Sequence, residues 1–574
     1  MGKNEVSRQL GQIAACLELK GENTFRVRAY QNAARAVGAF SDNLASAATT
    51  GELTELKGIG PATLKIIVEI LATGKSEMLE SLRREIPAGL VDMMQISGLG
   101  VTKIRQIHEG LGIDTLSELE AAARDGRLAG LHRFGPKAAA NVLRSLEFLM
   151  RVSESRLFHH ANSEAQALNA ALKELPAISD ARIVGSIRRR CELIEDMDFV
   201  VQSTGPLEEL AGQLNSMADV AEFTSQAGAI STIKFTSGSV AHVYAVNPSE
   251  AGFQIVRATG NADHLRALAQ RAEGLGLEWT SAGIVRDGTT LPCATEEDVY
   301  ATLDLPWIPP ELREGRGEVD AATQRQLPSL VEPSAIRGFL HCHTDYSDGT
   351  STVRAWAEAA RAAGYEYLGI TDHSAAARFA GGLYPDAILQ QHAEIDEANA
   401  EIEDVVILKG VEVDILRDGS LDYTPEIRAT FDFVIASLHN GFGQDRETMT
   451  ARVLRAMDDR HMTIFGHPTG RLLLSREPYP MDLEAIFAKA AELGVAIEIN
   501  ADPQRLDLDW RLVRSATDAG VIISIGADAH NTAGMTNMDL GVGLARKGWL
   551  TEDRILNARP VDGFLDHVAQ RRAH

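Results

Sequence analysis

Apolar residues recur at three- and four-residue spacing in VSRQLGQIAACLEL (6–19) and ATLKIIVEIL (62–71), which predicts amphipathic helices over the first 150 residues. Three segments there share one layout, a glycine turn ahead of a helix: LKGIGPATLKIIVEIL (56–71), ISGLGVTKIRQIHEGL (96–111) and LHRFGPKAAANVLRSL (131–146). Between residues 155 and 300 short β-rich runs take over, in ARIVGSI, MDFVVQ, TIKFT and AHVYAVN, mixed with helical stretches. A proline- and charge-rich segment, 303–333, predicts an ordered linker with a helix start. From Arg337 strands alternate with helices. The apolar runs GFLHCH, YLGITDH, VVILKGVEV, FVIASLH, TIFGHP, VAIEIN and VIISIGADAH predict parallel strands closed into a barrel.

The chain has 574 residues, too many for one core, so several domains are expected. The segment MGKNEVSRQLGQ lacks the apolar run of a signal peptide, and no stretch of about 18 apolar residues predicts a membrane span. Four scattered cysteines without a CxxC pair fit a reducing cytoplasm and argue against a disulfide framework. The net charge of −24 is unevenly spread: residues 1–152 carry +2 and the remainder −26. Contact with a polyanion is therefore expected in the N-terminal part, through backbone groups as much as through charge.

Polar residues gather at the ends of the C-terminal strands, where βα barrels keep their chemistry. His341 and His343 flank Cys342 at the end of the first strand, so alternation turns both imidazoles to one face. Asp348 follows in the next loop, His373 ends the second strand, and Glu412 lies in KGVEVD. His439 and His467 end further strands, and Asp528 and His530 repeat the i, i+2 spacing at the last. Imidazole and carboxylate together suit Mn²⁺, Zn²⁺ or Fe, and nine such groups suit up to three ions. Glu412 is placed to bridge two of them. Neighbouring cations of this kind activate water and neutralise phosphate oxygens, which is the apparatus of phosphoester hydrolysis.

LKGIGP and ISGLGV each place two glycines, Gly58 and Gly60, Gly98 and Gly100, just ahead of a helix. Such turns let backbone N–H groups approach a nucleic-acid phosphate without reading bases. The third copy has Arg133 in place of the first glycine. In VGSIRRRCELIEDMDFVV (184–201), Gly185 and Ser186 end a strand where a triphosphate can be held, and Arg189 would pair with its charge. Asp196 and Asp198, two apart on the next strand, form a carboxylate pair for Mg²⁺.

The HxH, Asp, DH, Glu, His, His, DxH series over about 335–570 resembles the PHP (polymerase and histidinol phosphatase) family. That resemblance implies a distorted (β/α)₇ barrel with three metals. They would be held by His341, His343, Glu412 and Asp528; by Glu412, His439 and His467; and by Asp348, His373 and His530. Asn500 in IEINADP matches a family position as a supporting or substrate contact. GSIRR followed by DMD resembles the nucleotidyltransferase palm of the family X DNA polymerases. There a third carboxylate assists deprotonation of the primer hydroxyl, but this chain has His242 in AHVYAVNP. The nucleotide-pocket run reads RATGN, with Arg257 and Ala258 replacing an aromatic pair. At the lyase-lysine position of the family stands Ile66, and Lys65 is one residue off, turned away by about 100°.

From end to end the chain resembles bacterial family X DNA polymerase with a C-terminal PHP domain, a resemblance strengthened by ELKGENTFRVRAYQNAAR (18–35) and IPPELREGRGE. It implies a multidomain α+β and α/β chain. Residues 1–80 would form an N-terminal helical domain with the first hairpin, and 81–152 a second hairpin domain. A palm/thumb-like domain would follow at 153–305, a linker at 306–336 and the PHP domain at 337–574. It further implies a cytoplasmic, nucleoid-associated bacterial DNA-repair protein, monomeric, acting on gapped DNA or single-stranded 3′ ends with dNTP as a further ligand. A 3′→5′ exonuclease with an eroded polymerase centre is the expected activity. Gap-filling synthesis, small-molecule phosphatase activity of the histidinol-phosphatase type, and a non-catalytic DNA-binding scaffold remain the alternatives.

Overall fold

The computed structural model describes residues 3–40, 44, 47–48, 53, 56, 58–96, 99–132, 134–152, 155–203, 220–226 and 230–573. The chain forms two compact units, residues 1–153 and 154–574.

The first unit is helical. Its elements include α1 (Lys3–Lys20), α2 (Thr24–Ala39), α3 (Pro61–Thr73), α4 (Val101–Leu111) and α5 (Pro136–Val152). One apolar cluster joins them, with Leu10, Ile13, Val37, Ile67, Ile104 and Leu146 fully buried. Local chemistry sets the boundaries of α3. Pro61 occupies its first turn, where a missing N–H costs nothing, and Gly74 closes it in a left-handed conformation at φ 81°.

The second unit contains a five-stranded sheet and a barrel. The sheet strands are β1 (Ile178–Val184), β2 (Met197–Ser203), β3 (Val220–Gln226), β4 (Ile230–Phe235) and β5 (Val240–Val246), in the order β1-β2-β5-β4-β3. Strands β2 and β5 run parallel and the other pairs antiparallel. Helices α6 (Phe158–Lys173) and α7 (Ala251–Thr259) flank it. The proline-rich segment is no free spacer. Leu312, Val319, Ala322 and Leu330 enter one apolar cluster with Phe253, Val299 and Tyr300, and Arg313 is fully buried against Glu296.

Seven parallel strands close the barrel: β6 (Gly338–Cys342), β7 (Tyr367–Ile370), β8 (Val406–Asp414), β9 (Phe433–Ser437), β10 (Met462–Phe465), β11 (Ala496–Asn500) and β12 (Ile523–Ala529). They pair in chain order, with β6 closing against β12. All seven expected runs are strands, because each is apolar on both faces and is covered by helices outside and side chains within. Helix α8 (Met538–Lys547) packs against β12, and the C-terminal helix Val561–Ala573 supplies Phe564 and Val568 to the apolar cluster of Leu340, Tyr367 and Phe433. This packing fills the end where the strands begin and leaves their C-terminal ends for the site.

Candidate metal centre

The nine residues expected to bind metal converge at the C-terminal rim. Glu412 is central. Its Oε1 lies 3.0 Å from His467 Nε2, 3.3 Å from His439 Nε2 and 3.4 Å from His341 Nε2. Its Oε2 lies 2.9 Å from His373 Nδ1 and 3.9 Å from His343 Nε2. Asp528 Oδ1 sits 3.3 Å from His343 Nε2 and 3.7 Å from His341 Nε2. Asp348 reaches His530 Nε2 at 3.4 Å and His373 Nε2 at 3.6 Å.

Three groups have ligand atoms close enough to hold an ion: His341, His343 and Asp528; His373, Glu412 and His439; and His343, Asp348, His373 and His530. This grouping differs from the one the resemblance implied. His373 and His343 are each shared between two groups. His467 belongs to none of the three, although it touches Glu412.

These residues fit cations. His341 Nε2, both nitrogens of His343, His373 Nδ1, His467 Nδ1 and Glu412 Oε2 are buried without a hydrogen-bond partner. Orphans of this kind are expensive in an empty interior, and a cation satisfies several at once. Electrostatics points the same way. Burial opposes ionisation of Glu412, but the surrounding His439, His373 and His341 outweigh it and hold the carboxyl well below its ordinary value. Burial likewise opposes the charge on Asp528, and His341 and His343 reverse the balance. Burial, aided by Arg505, lowers His467 to about 4, so its imidazole is neutral and can donate a lone pair. Burial disfavours the cationic form of His439, yet Glu412 and Asp414 raise it to about 10, so an ion arriving there displaces a proton.

The backbone is shaped around the centre. His341, His467 and Asp528 adopt φ of 61°, 26° and 48°, left-handed values that L-residues avoid at about 1–3 kcal/mol each. The register of β6 shifts between Phe339 and Cys342, so both imidazoles reach the mouth through a bulge rather than simple alternation.

Behind the ligands stands a supporting row, of which only Asn500 was anticipated. Glu498 Oε1 lies 2.6 Å from His341 Nδ1, and His467 N donates to Glu498 Oε2 at 2.6 Å. A Cβ on Gly526 would collide with Glu498 Oε1, so the neighbouring strand must present glycine there. Asp414 Oδ1 holds His439 Nδ1 at 2.5 Å. Asn500 Nδ2 donates to Asp528 Oδ2 at 3.0 Å and to Glu498 Oε2 at 3.1 Å. Such partners orient imidazole ligands and set their tautomer. The signal was present: Glu412/Asp414 and Glu498/Asn500 repeat the i, i+2 spacing of the HxH and DxH pairs. Arg505 completes the rim, with Nε 3.4 Å from Asp528 Oδ2 and Nη1 buried without a partner.

The palm-like site is sparser. Asp196 precedes β2 rather than lying on it; Asp198 is within the strand and pairs in register with His242 on β5. His242 Nε2 lies 3.6 Å from Asp196 Oδ2. Burial, then the Asp196 carboxylate, pushes Asp198 up to about 7. A Cβ on Gly185 would strike Asp198 Oδ2, and Ser186 Oγ is buried without a partner. Arg189, expected to pair with triphosphate charge, is held by neighbours within the fold. Its Nε bonds Glu314 at 2.9 Å and its Nη1 donates to Thr259 O at 2.7 Å, leaving the side chain 14 % exposed. That cation is used inside the fold.

In the first unit Gly58 has φ 105°, and Gly60 and Gly100 cap α3 and α4 in exposed turns where a Cβ would meet nothing. Gly98 and Arg133 lie outside the described residues. Ile66 is buried and Lys65 is exposed, as the one-residue offset predicts.

Comparison with known proteins agrees with this layout. Family profiles match a helix-hairpin-helix domain at residues 1–76, a SAM-like helix-hairpin-helix tandem at 90–147, a DNA polymerase beta thumb at 254–314 and a PHP domain at 340–502. A relative from Bacillus subtilis (strain 168), named "DNA polymerase/3'-5' exonuclease PolX", is 35% identical over 98% of this chain and 99% of its own. A "Probable phosphatase" from Thermoanaerobacter sp. (strain X514) is 31% identical over 38% of this chain and 88% of its own. Another from Shewanella sp. (strain MR-4) is 27% identical over 40% and 90%. With one relative aligned along nearly its whole length and the hairpin, thumb and PHP profiles in the same order, the chain belongs to the bacterial family X DNA polymerases that carry a C-terminal PHP domain.

Proposed function

We propose that the barrel is a metal-dependent phosphodiesterase that removes nucleotides from DNA 3′ ends, and that the palm has lost most of its polymerase activity. The observation that carries the nuclease reading is the ring of buried, unpartnered imidazole and carboxylate atoms around Glu412. The relative named as a 3'-5' exonuclease supports the choice of DNA.

His341, His343, Asp348, His373, Glu412, His439, His467, Asp528 and His530 would hold up to three ions, with Mn²⁺, Zn²⁺ and Fe all compatible with this donor set. Bound there, the ions supply Lewis acidity that activates water and neutralises phosphate charge. The chain's own residues do the rest. Glu498 and Asp414 fix the rings of His341 and His439. Asn500 and Arg505 hold Asp528, and the free Nη1 of Arg505 is available to a phosphate oxygen. The Gly58/Gly60 and Gly98/Gly100 turns would hold the DNA backbone, which suits a chain whose charge is otherwise unfavourable for a polyanion.

In the palm, Asp196 and Asp198 would take Mg²⁺ weakly, since the imidazole of His242 does not replace a carboxylate beside that ion. Residual gap-filling remains the second reading, favoured by Gly185, Ser186 and the paired aspartates; dNTP would be its substrate. Four free cysteines fit a reducing bacterial cytoplasm with the nucleoid's DNA as substrate.

Labelled single-stranded and gapped DNA incubated with the Mn²⁺-loaded protein should shorten from the 3′ end. Intact DNA after incubation with metal-loaded protein overturns the reading. Hydrolysis of histidinol phosphate faster than DNA would reassign the barrel to small phosphomonoesters.

A further inference from the structure

The loop between β7 and the helix Pro385–Glu401 carries Phe379 at its tip, 74 % exposed. An exposed phenylalanine on an ordinary surface loop needs no account, but this one stands over the metal centre. Its ring centroid lies 6.0 Å from that of His373 and 5.9 Å from that of His439, with interplanar angles of 58° and 68°.

The loop is held rigidly at both sides. Leu383 N donates to His373 O at 2.8 Å, and Ala376 N donates to Asp422 Oδ2 at 2.7 Å. Tyr423 Oη donates to Leu383 O at 2.5 Å, while Ala377, Ala380 and Leu383 are buried beneath. Gly382 lies so close to Ser374 O that no side chain would fit. The turn Arg378–Ala380 therefore presents one face of a preorganised aromatic ring to solvent, beside two proposed ligands, with exposed Arg378 next to it.

We infer that Phe379 is the stacking platform for the base of the 3′-terminal nucleotide, an inference that rests on the nuclease reading above. A base offers a neutral π-face to such a ring, and this attraction tolerates any sequence. It also works where charge does not help: residues 153–574 carry a net −26, so a polyanion gains little from the field of this region. Stacking fixes the terminal base at the rim and sets the phosphodiester on its 5′ side, the bond that joins it to the penultimate nucleotide, at the metal-binding residues. An unstacked base is required, so single-stranded ends are selected over paired ones, and nucleotides over small phosphomonoesters without a ring.

The test compares two oligonucleotides with the full chain, one ending in thymidine and one in a tetrahydrofuran abasic residue. The ratio of kcat/KM values, base over abasic, should be about tenfold or more in the wild type, as expected for one base–aromatic stack. It should fall to near one in Phe379→Ala and persist in Phe379→Trp. A ratio unmoved by Phe379→Ala overturns the inference. If the wild type leaves both oligonucleotides intact, the nuclease reading has failed, and binding decides the stack. Single-stranded DNA ending in 2-aminopurine, bound in EDTA, should be quenched by the wild type and far less by Phe379→Ala. Equal quenching by both proteins overturns it.

Discussion

The barrel and the palm-like sheet each bring carboxylates and an imidazole together, yet they differ in how far the fold supports them. At the barrel rim the central carboxylate is enclosed by five imidazoles; Glu498 and Asp414 hold two of the rings from behind, and Asn500 holds Asp528 and Glu498. Backbone strain at His341, His467 and Asp528 is tolerated there. In the palm, two carboxylates face one imidazole, Asp198 is driven up to about 7, and Arg189 is spent on Glu314. A metal-binding site is recognised less by its ligands than by the groups that would be unsatisfied without the ion.

The comparison can be broken most decisively at Glu412. Glu412→Gln should lower DNA hydrolysis by more than the roughly 10–100-fold that loss of an outer partner costs, because it removes the central carboxylate itself. Hydrolysis of labelled DNA by metal-loaded protein measures this; retention of near-normal rates would remove the centre from the chemistry. Glu498→Gln should fall within that 10–100-fold range and act on metal affinity, read by titrating the apoprotein with Mn²⁺ while following activity. Chelation should abolish hydrolysis and lower the melting temperature, and Mn²⁺ should restore both, by the mass action that ties ligand binding to stability.

The palm side is sharpened by His242→Asp. In a His467→Ala background that silences degradation, it should raise Mg²⁺-dependent extension on gapped DNA by about tenfold, the scale on which one added neighbouring charge shifts an equilibrium. Equal extension by both proteins would show that the third position does not limit the palm. Protonation supplies a smaller effect. The Asp198 carboxyl is raised from its ordinary 3.8 to about 7, so between those values the folded state keeps a proton that cation binding must expel. Cation affinity of the palm should rise with pH up to about 7 and level off above it. A flat profile between pH 5 and 7, measured by calorimetry, would show that Asp198 is already ionised.

Much of the barrel was legible along the chain. Seven apolar runs ended by polar residues fit parallel strands covered on both faces, and the pairing of β6 with β12 is what closes them into a barrel. All nine rim residues were visible as His, Asp and Glu near strand ends or in the loop that follows. The supporting roles of Glu498 and Asp414 are not local, because the imidazoles they hold, His341 and His439, stand on or just past other strands. Glu498 acquires its partner, His341, from 157 positions away through closure of the barrel. Strand β3 (VAEFTSQ) went unread because its alternation is weak and its place is given by pairing with β4.

The run Arg188-Arg189-Arg190 shows where local information stops. Along the chain these are three equivalent cations after a glycine turn. In the folded protein Arg188 pairs with Glu296, Arg189 with Glu314 and Arg190 with Asp539 of the barrel. The order of residues determined backbone periodicity, the strand ends and the kinds of ligand, because those depend on near neighbours and on which faces are apolar. Which carboxylate each cation meets, which imidazoles share an ion and which ring stands over them were decided by the tertiary structure, because electrostatic and packing energies depend on distance through space and not on separation along the chain.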